Sequence, residues 1–344
     1  MNLKKLFLLI FGLLIATGSI LTFNYYNKIY KPNTIKEGFV YIPTNSNFEE
    51  VENLIRPFLK RVNTFSWVAT KKNYPNTIKP GKYHISPGLN NNELINLLRS
   101  GKQTPVKLSF NNQDSFEKLA GRISQQIEPD SITLLTTLTD LTFIKKNGFK
   151  NSTSIGMYIP NTYEFYWNTS AADFRKKMLN EYTKFWNSSR KAKAKKLNLS
   201  LNEVVTLASI VQKETASVSE RPMVARLYLN RLNDKWPLQA DPTIIFALKK
   251  ELGDDTIIKR VLTKDLKIDS PYNTYKNNGL PPGPIAMPDI SSIDAVLNPA
   301  THNYYYMCAS ITTIGKHEFA KTLAQHNKNA VKYQKWLNKQ GVNR

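Results

Sequence analysis

Cysteine is almost absent from these 344 residues, with Cys308 standing alone. One thiol excludes an intramolecular disulfide framework and any multi-cysteine zinc or iron–sulfur site. Histidine is nearly as scarce: His84, His302, His317 and His326 are scattered, with no HExxH or His-x3-His spacing. No metal and no cofactor is expected, because the chain also lacks a glycine-rich phosphate cradle. No serine stands in a Gly-x-Ser-x-Gly elbow either, which removes that class of nucleophile. Acids are in short supply, 26 Asp and Glu against 48 Lys and Arg, for a formal charge of +22. Such an excess fits attraction to a polyanion (nucleic acid, anionic lipid or an anionic wall polymer) or a lysine-rich habit spread over solvated faces. The densest run, "SRKAKAKKLNLS", has no interleaved aromatics and reads as the wet face of a helix leading into a turn. Nucleic acid is therefore not an expected partner.

Long hydrophobic runs are also missing, except for one. "MNLKK" precedes "LFLLIFGLLIATGSILTF", residues 6–23, which carry no charge. At 1.5 Å per residue this helix is roughly 27 Å long, enough to span a hydrocarbon core. Lys4 and Lys5 favour a cytoplasmic N-terminus over residues 1–5, although Lys28 and Lys31 weaken the asymmetry. A cleaved signal peptide is the rival, but the run is long and no clear Ala-x-Ala site follows. The expectation is a single-span anchor with everything after it outside the cytoplasm.

The remainder reads as α+β. Residues 24–36 form a polar stalk. Residues 37–105 form a small strand-and-helix module: strand "FVYIP", a helix opened by a Ser46–Glu49 capping box, strand "KYHIS", and a helix ended by Gly101. Residues 106–199 make a mixed α/β connecting region, starting with strand, turn and helix in "VKLSFNNQDSFEKLAGRISQQI". In it "GMYIPNTYEFYWNTS" is an ordered aromatic loop with short strands, suited to stack on sugar rings or to pack between domains. Residues 200–344 form a mainly helical domain with long ordered loops. A second capping box, Ser217 with Glu220, and Pro222 open the helix "RPMVARLYLNRLND", with Val224, Leu227, Tyr228 and Leu232 on one face. Three loop-like segments follow, "WPLQADPTIIFAL", "SPYNTYKNNGLPPGPIAMP" and "NPATHNYYYMCA", and "HEFAKTLAQHNKNAVKYQKWL" closes the chain as an amphipathic helix.

The chemistry centres on "LASIVQKETASVSERP". Leu207, Ile210, Val211 and Glu214 stand at i, i+3, i+4 and i+7, one helical face. A carboxylate ending that face is either a solvated helix end or a desolvated acid with a raised pKa, as a general acid requires. Ordinary glycoside hydrolysis wants two carboxylates flanking the bond. The neighbouring acids are Glu203, Glu220, Asp234 and Asp241; the cap occupies Glu220, and Asp241 falls in a Pro-bounded turn. A lone glutamate at a helical elbow, ringed by Asn, Tyr, Thr and Gln, suits a neutral polyhydroxylated ligand.

"LASIVQKETASVSERPMVARLYLNRL", "LQADPT", "SPYNTYKNNGLPPGPIA", "LNPA" and "HEFAKTLAQHN" resemble, in order and spacing, the endolytic murein transglycosylases, the MltG or YceG-like family. The module resembles that family's LysM-like domain, and "IPNTYEFYWNTS" its Pro-Asp-Thr-Tyr segment. The resemblance implies an enzyme of the bacterial inner membrane that faces the wall and works without a cofactor. It would cleave the β-1,4 bond between N-acetylmuramic acid and N-acetylglucosamine inside nascent glycan strands, leave a 1,6-anhydro end, and so terminate elongation. Glu214 would be the catalytic acid and base. By motif match Gln239, Asp241, Thr243, Asn273 and Tyr275 would line the glycan cleft, with Pro282 and Gly283 shaping its wall. His326 and Asn327 would tie the last helix to its domain. Partners would be glycan strands and peptidoglycan synthases. Three positions depart from the pattern: Gln212 replaces an acid, leaving only Glu214 for the chemistry, Asn161 replaces an Asp, and Ile155 an acid before Gly156. The other reading is a non-catalytic, membrane-anchored wall-binding scaffold for synthases. The excess positive charge would serve either by holding the chain near anionic head groups.

Overall fold

The computed structural model describes residues 3–253, 255–258 and 260–339. Helix α1 (Leu3–Tyr30) exposes the whole apolar run, and it is the one helix among the described residues long and apolar enough to cross a membrane. It continues seven residues past Phe23, so much of the expected stalk is helix. The reason is local packing: Tyr25 stacks on Trp67 at 5.2 Å, and the buried Asn91 side chain donates to the Lys28 carbonyl at 2.8 Å.

The described chain divides into two compact units. The first holds the chain up to Leu108 with Ser124–Pro129 and Tyr163–Ser170. Its centre is β1 (Gly38–Ile42) paired antiparallel with β2 (Gly81–Ile85), Val40 opposite Tyr83. Between them in sequence run α2 (Phe48–Ile55) and α3 (Val62–Lys71), and α4 (Asn91–Ser100) follows. Val40, Ile42, Val51, Phe65, Tyr83 and Leu94 meet in one apolar core. The first capping box is displaced by one residue from the expected register: Asn47, not Ser46, caps α2, with Glu50 returning the bond. Asn45 adopts φ 67°, a conformation Asn tolerates, and the helix therefore starts later. Pro57 ends α2 in a short 3-10 turn, and α3 begins beyond it. Gly101 closes α4 with φ 69° as expected.

β3 (Val106–Phe110) pairs with β4 (Asn161–Phe165) in a second two-stranded sheet, and α5 (Phe116–Ser124) follows β3. The second unit holds Ser109–Ile123, Asp130–Thr162 and the chain from Ala171 onward. It contains α6 (Ser131–Leu138), α7 (Leu141–Lys146), α8 (Ala171–Phe185) and the basic α9 (Ser188–Lys196), which buries only Ala194. Tyr158 of the aromatic segment is buried against Phe174 and Phe116, so this part of it packs within the second unit.

The centre of this unit is α10 (Leu201–Glu214), opened by a Ser200–Glu203 capping box. It is buried continuously from Val204 to Val211, not along a single stripe. α11 (Arg221–Asn233), α12 (Asp241–Leu252) and α13 (Ile290–Leu297) pack around it. Gly156 also lies against α10: a Cβ there would sit 2.7 Å from the Val205 side chain. Three sequence expectations change here. Ser217 makes no cap to α11, because Glu220 turns inward to His317. Asp241 opens α12 and does not sit in a turn; Pro242 occupies the first turn, where its missing N–H costs nothing. "HEFA" is a strand: β5 (Tyr306–Ala309) and β6 (His317–Ala320) pair antiparallel, and α14 (Leu323–Lys339) starts only after them. The stretch 270–289 has no helix or strand, as its prolines require. His326 of α14 stacks on Tyr306 of β5 at 5.4 Å, tying that helix to the sheet.

Candidate active site

Helix α10 runs out of the core at Glu214, and its last residue inherits the core's low polarizability. Burial pushes the Glu214 carboxyl from 4.5 up to about 7. Opposing this, the Tyr228 hydroxyl donates to Oε1 at 2.5 Å, and the charges of His317 and Arg231 also favour the carboxylate. The Asp241 charge acts the other way and helps keep Glu214 protonated. Near neutral pH the group is thus divided between acid and base forms.

Four elements build this cluster. Tyr228 and Arg231 come from α11, one helical turn apart. Arg231 is 9% exposed and is spent on structure: Nε donates to the Tyr305 carbonyl at 2.8 Å and Nη1 to the Leu238 carbonyl at 2.5 Å. It therefore supplies fixed positive charge from a rigid position. His317 comes from β6, where its ring lies 2.9 Å from Glu220 and its N–H donates to the same carboxylate at 2.6 Å. Glu220, 5% exposed, is consumed by this pair and is not available to substrate. Asp241 comes from the first turn of α12, and its Oδ1 accepts from the Tyr275 hydroxyl at 2.5 Å. A second carboxylate is consequently present, held by its own tyrosine.

The residues singled out in sequence separate into two groups. Gln239 and Asp241 are exposed and Tyr275 is half-buried, so these three can reach a ligand. Gln239 adopts φ 50°, a left-handed conformation that costs a non-glycine residue on the order of 1 kcal/mol. Its N–H donates to the Thr274 carbonyl at 3.0 Å, which holds the turn. Thr243 and Asn273 are both 0% exposed and act as braces. Thr243 shares a 2.8 Å bond with the Thr274 hydroxyl. Asn273 donates to the carbonyls of Leu266 and Ile268 and accepts from the Tyr275 N–H. Neither has a polar atom left for a glycan. Gly283 is required by close approach, since a Cβ would lie 2.0 Å from the Ser152 carbonyl oxygen. The exposed Pro282 accepts from the Ser152 hydroxyl at 3.1 Å. These contacts make the pair a loop anchor.

Gln212 points away from Glu214. Its Oε1 accepts from the Asp289 N–H at 2.5 Å and from the Ser292 hydroxyl, holding the start of α13. Tyr228, Arg231 and His317 are the side chains around Glu214 that sequence reading did not assign. Tyr228 carried a signal, a phenol on an otherwise apolar face, which needs a partner when buried. Beyond the cluster, a cavity of about 120 Å³ lies against α12, between Pro242, Phe246, Lys249 and Lys213. It shares Asp114 and Phe246 with a larger cavity of about 630 Å³.

Residues 40–332 match the sequence model of the YceG-like family. The chain is 41% identical over 179 residues to an endolytic murein transglycosylase of Bacillus subtilis (strain 168), which covers 52% of this chain and 47% of that one. It is 29% identical over 359 aligned positions to an endolytic murein transglycosylase of Streptococcus pneumoniae (strain ATCC BAA-255 / R6), covering 94% of this chain and 64% of the relative. The chain thus spans about half to two thirds of the length of these relatives. The crystal structure of a YceG-like protein from Listeria monocytogenes aligns with a TM-score of 0.58 and 29% identity, over 85% of this chain and 98% of that one.

Proposed function

Because the chain belongs to the YceG-like family, we propose that it is a membrane-anchored endolytic murein transglycosylase with Glu214 as its catalytic acid and base. The observation that carries the reading is one carboxyl with a pKa near 7, fixed by a tyrosine at the end of a buried helix. Protonated Glu214 gives its proton to the oxygen linking N-acetylmuramic acid to N-acetylglucosamine, and the bond to the leaving sugar breaks. The positive charge that develops at the anomeric carbon faces Asp241, whose carboxylate offsets it. The C6 hydroxyl of the same muramic acid then attacks that carbon while Glu214, now a carboxylate, takes its proton. No water is consumed, and the new end is a 1,6-anhydro sugar.

Gln239 and Tyr275 are the side chains we assign to glycan contact, since both are accessible beside Asp241. The order β1, α2, α3, β2 supports a LysM-like reading of residues 37–105. The apolar face of α1 supports a single-pass inner-membrane anchor, with the enzyme on the wall side. An enzyme so placed would act on strands emerging from synthases, its natural partners.

Asp241 supports a second reading, two-carboxylate hydrolysis. Mass analysis of products from un-crosslinked glycan strands decides between them. Anhydro-ended fragments from wild type, and none from Glu214→Gln, support the transglycosylase. Fragments heavier by one water make the protein a hydrolase. Strand binding without cleavage leaves the scaffold reading.

A further inference from the structure

Where α1 leaves its apolar run, a cavity of about 320 Å³ opens between it and α3. Leu21 and Tyr25 line it together with Asn24, Asn27, Lys28, Arg61 and Thr64. No acid takes part, and among the described residues neither Lys28 nor Arg61 has an ion-pair partner. The Arg61 guanidinium is poorly satisfied: Nη2 reaches the carbonyls of Lys31 and Pro32 only at 3.4 Å, and Nε is buried with no partner. The Lys28 ammonium rests 5.0 Å from the Trp67 ring centroid and 5.8 Å from that of Tyr25. Those rings hold the cation in place without neutralising it. Arg61 also occupies the N-cap of α3 without a side-chain cap, and the first turn has no acid. The unpaired N–H groups there add positive potential to the same cavity.

The depth of the cavity points to its ligand. The uncharged run ends at Phe23. Lys28 lies five residues further, about 7 Å along the helix axis. The polar zone on each face of a bilayer is roughly 5–8 Å thick, so Lys28 and Arg61 stand where lipid phosphates do. Leu21, within the apolar run, stands at the acyl edge. Tyr25, Tyr26 and Tyr30 are all exposed around this level, as interfacial aromatics are.

We propose that the cavity between α1 and α3 binds the phosphate of an anionic membrane lipid through Lys28 and Arg61, with the acyl chains lying along α1. The proposal rests on the reading of α1 as a membrane anchor. Its consequence is that the first unit is seated against the bilayer surface rather than tethered at a distance.

The full chain in nonionic detergent, titrated with phosphatidylglycerol and followed by native mass spectrometry, tests this. Each cation is worth roughly fivefold at an anionic surface, so Lys28→Gln with Arg61→Gln should weaken lipid binding about 20- to 30-fold. Lys28→Arg keeps the charge and should retain binding. Removing two exposed cations elsewhere, by Lys195→Gln with Lys196→Gln, should change binding less than twofold. Equal loss in that control, or wild-type affinity in the first variant, overturns the site. Displacement of the lipid by a tenfold excess of inorganic phosphate would mark a free-phosphate site and also overturns it. Alkaline carbonate extraction of membranes separates the two readings. If wild type is released, the anchor fails and the proposal with it. If wild type and variant both resist extraction yet bind lipid equally, the anchor stands and the cavity assignment alone is wrong.

Discussion

Replacing Glu214 by Gln removes the ionisable group and keeps the shape, so its effect on stability should depend on pH. The folded-state pKa is about 7 against 4.5 for an unburied glutamate. Between these values the folded state binds more protons than the unfolded one, so wild-type stability falls as pH rises. The loss begins near pH 4.5, is complete above pH 7, and totals about 3.4 kcal/mol at roughly 1.4 kcal/mol per pH unit. Glu214→Gln escapes that loss. Urea titrations of both proteins at about pH 5 and about pH 8.5 should show the variant gaining about 2.5 kcal/mol on wild type at the higher pH. The same substitution should lower kcat roughly 10³-fold, the middle of the range for general acid–base catalysis. A stability difference that stays constant with pH would refute the argument that burial raises this carboxyl, whatever the activity.

The wild-type kcat/KM should fall on an alkaline limb near pH 7, because the first step needs the protonated acid. Tyr228→Phe removes a bond that favours the carboxylate, so a pH–rate profile of that variant should show the limb moved to higher pH. Asn273→Ala leaves two carbonyls and an N–H unpaired, and chemical denaturation should report a loss of about 2–3 kcal/mol. Tyr275→Phe should leave stability within about 1 kcal/mol of wild type while raising KM for glycan strands. Gly283→Ala forces a methyl onto the Ser152 carbonyl, and a thermal melt should show about 3 kcal/mol of destabilisation.

Some of the architecture is legible in local chemistry. An uncharged run of that length reads as one continuous helix, and α1 is one, long and apolar enough to cross a membrane. The strands at Gly38–Ile42 and Gly81–Ile85 and the Gly101 helix stop depend on neighbouring residues and can be read from them. So can Glu214, because a carboxyl at the end of an apolar helix stands out without any tertiary contact. Local reading fails where a side chain has two partners to choose from. Glu220 could cap its own helix by sequence, but the fold brings His317 to it from 97 residues away. Ser46 and Asn47 are both competent caps, and the backbone turn at Asn45 selects the second. "HEFA" has helical residues yet becomes a strand because β5 offers it a ladder.

What the sequence alone determined is the long apolar helix α1, the strands and helices of the first unit and the position of Glu214 at the end of an apolar helix, since each follows from spacing within a few turns of chain. Tertiary structure alone decided what that acid can do. The pKa near 7 comes from burial, reinforced by a second carboxylate at the start of α12, and its counterweights are a tyrosine 14 residues on, an arginine one turn beyond that tyrosine and a histidine on a distant strand. Desolvation and charge act through space, and only the packing of α10, α11, α12 and β6 sets those distances.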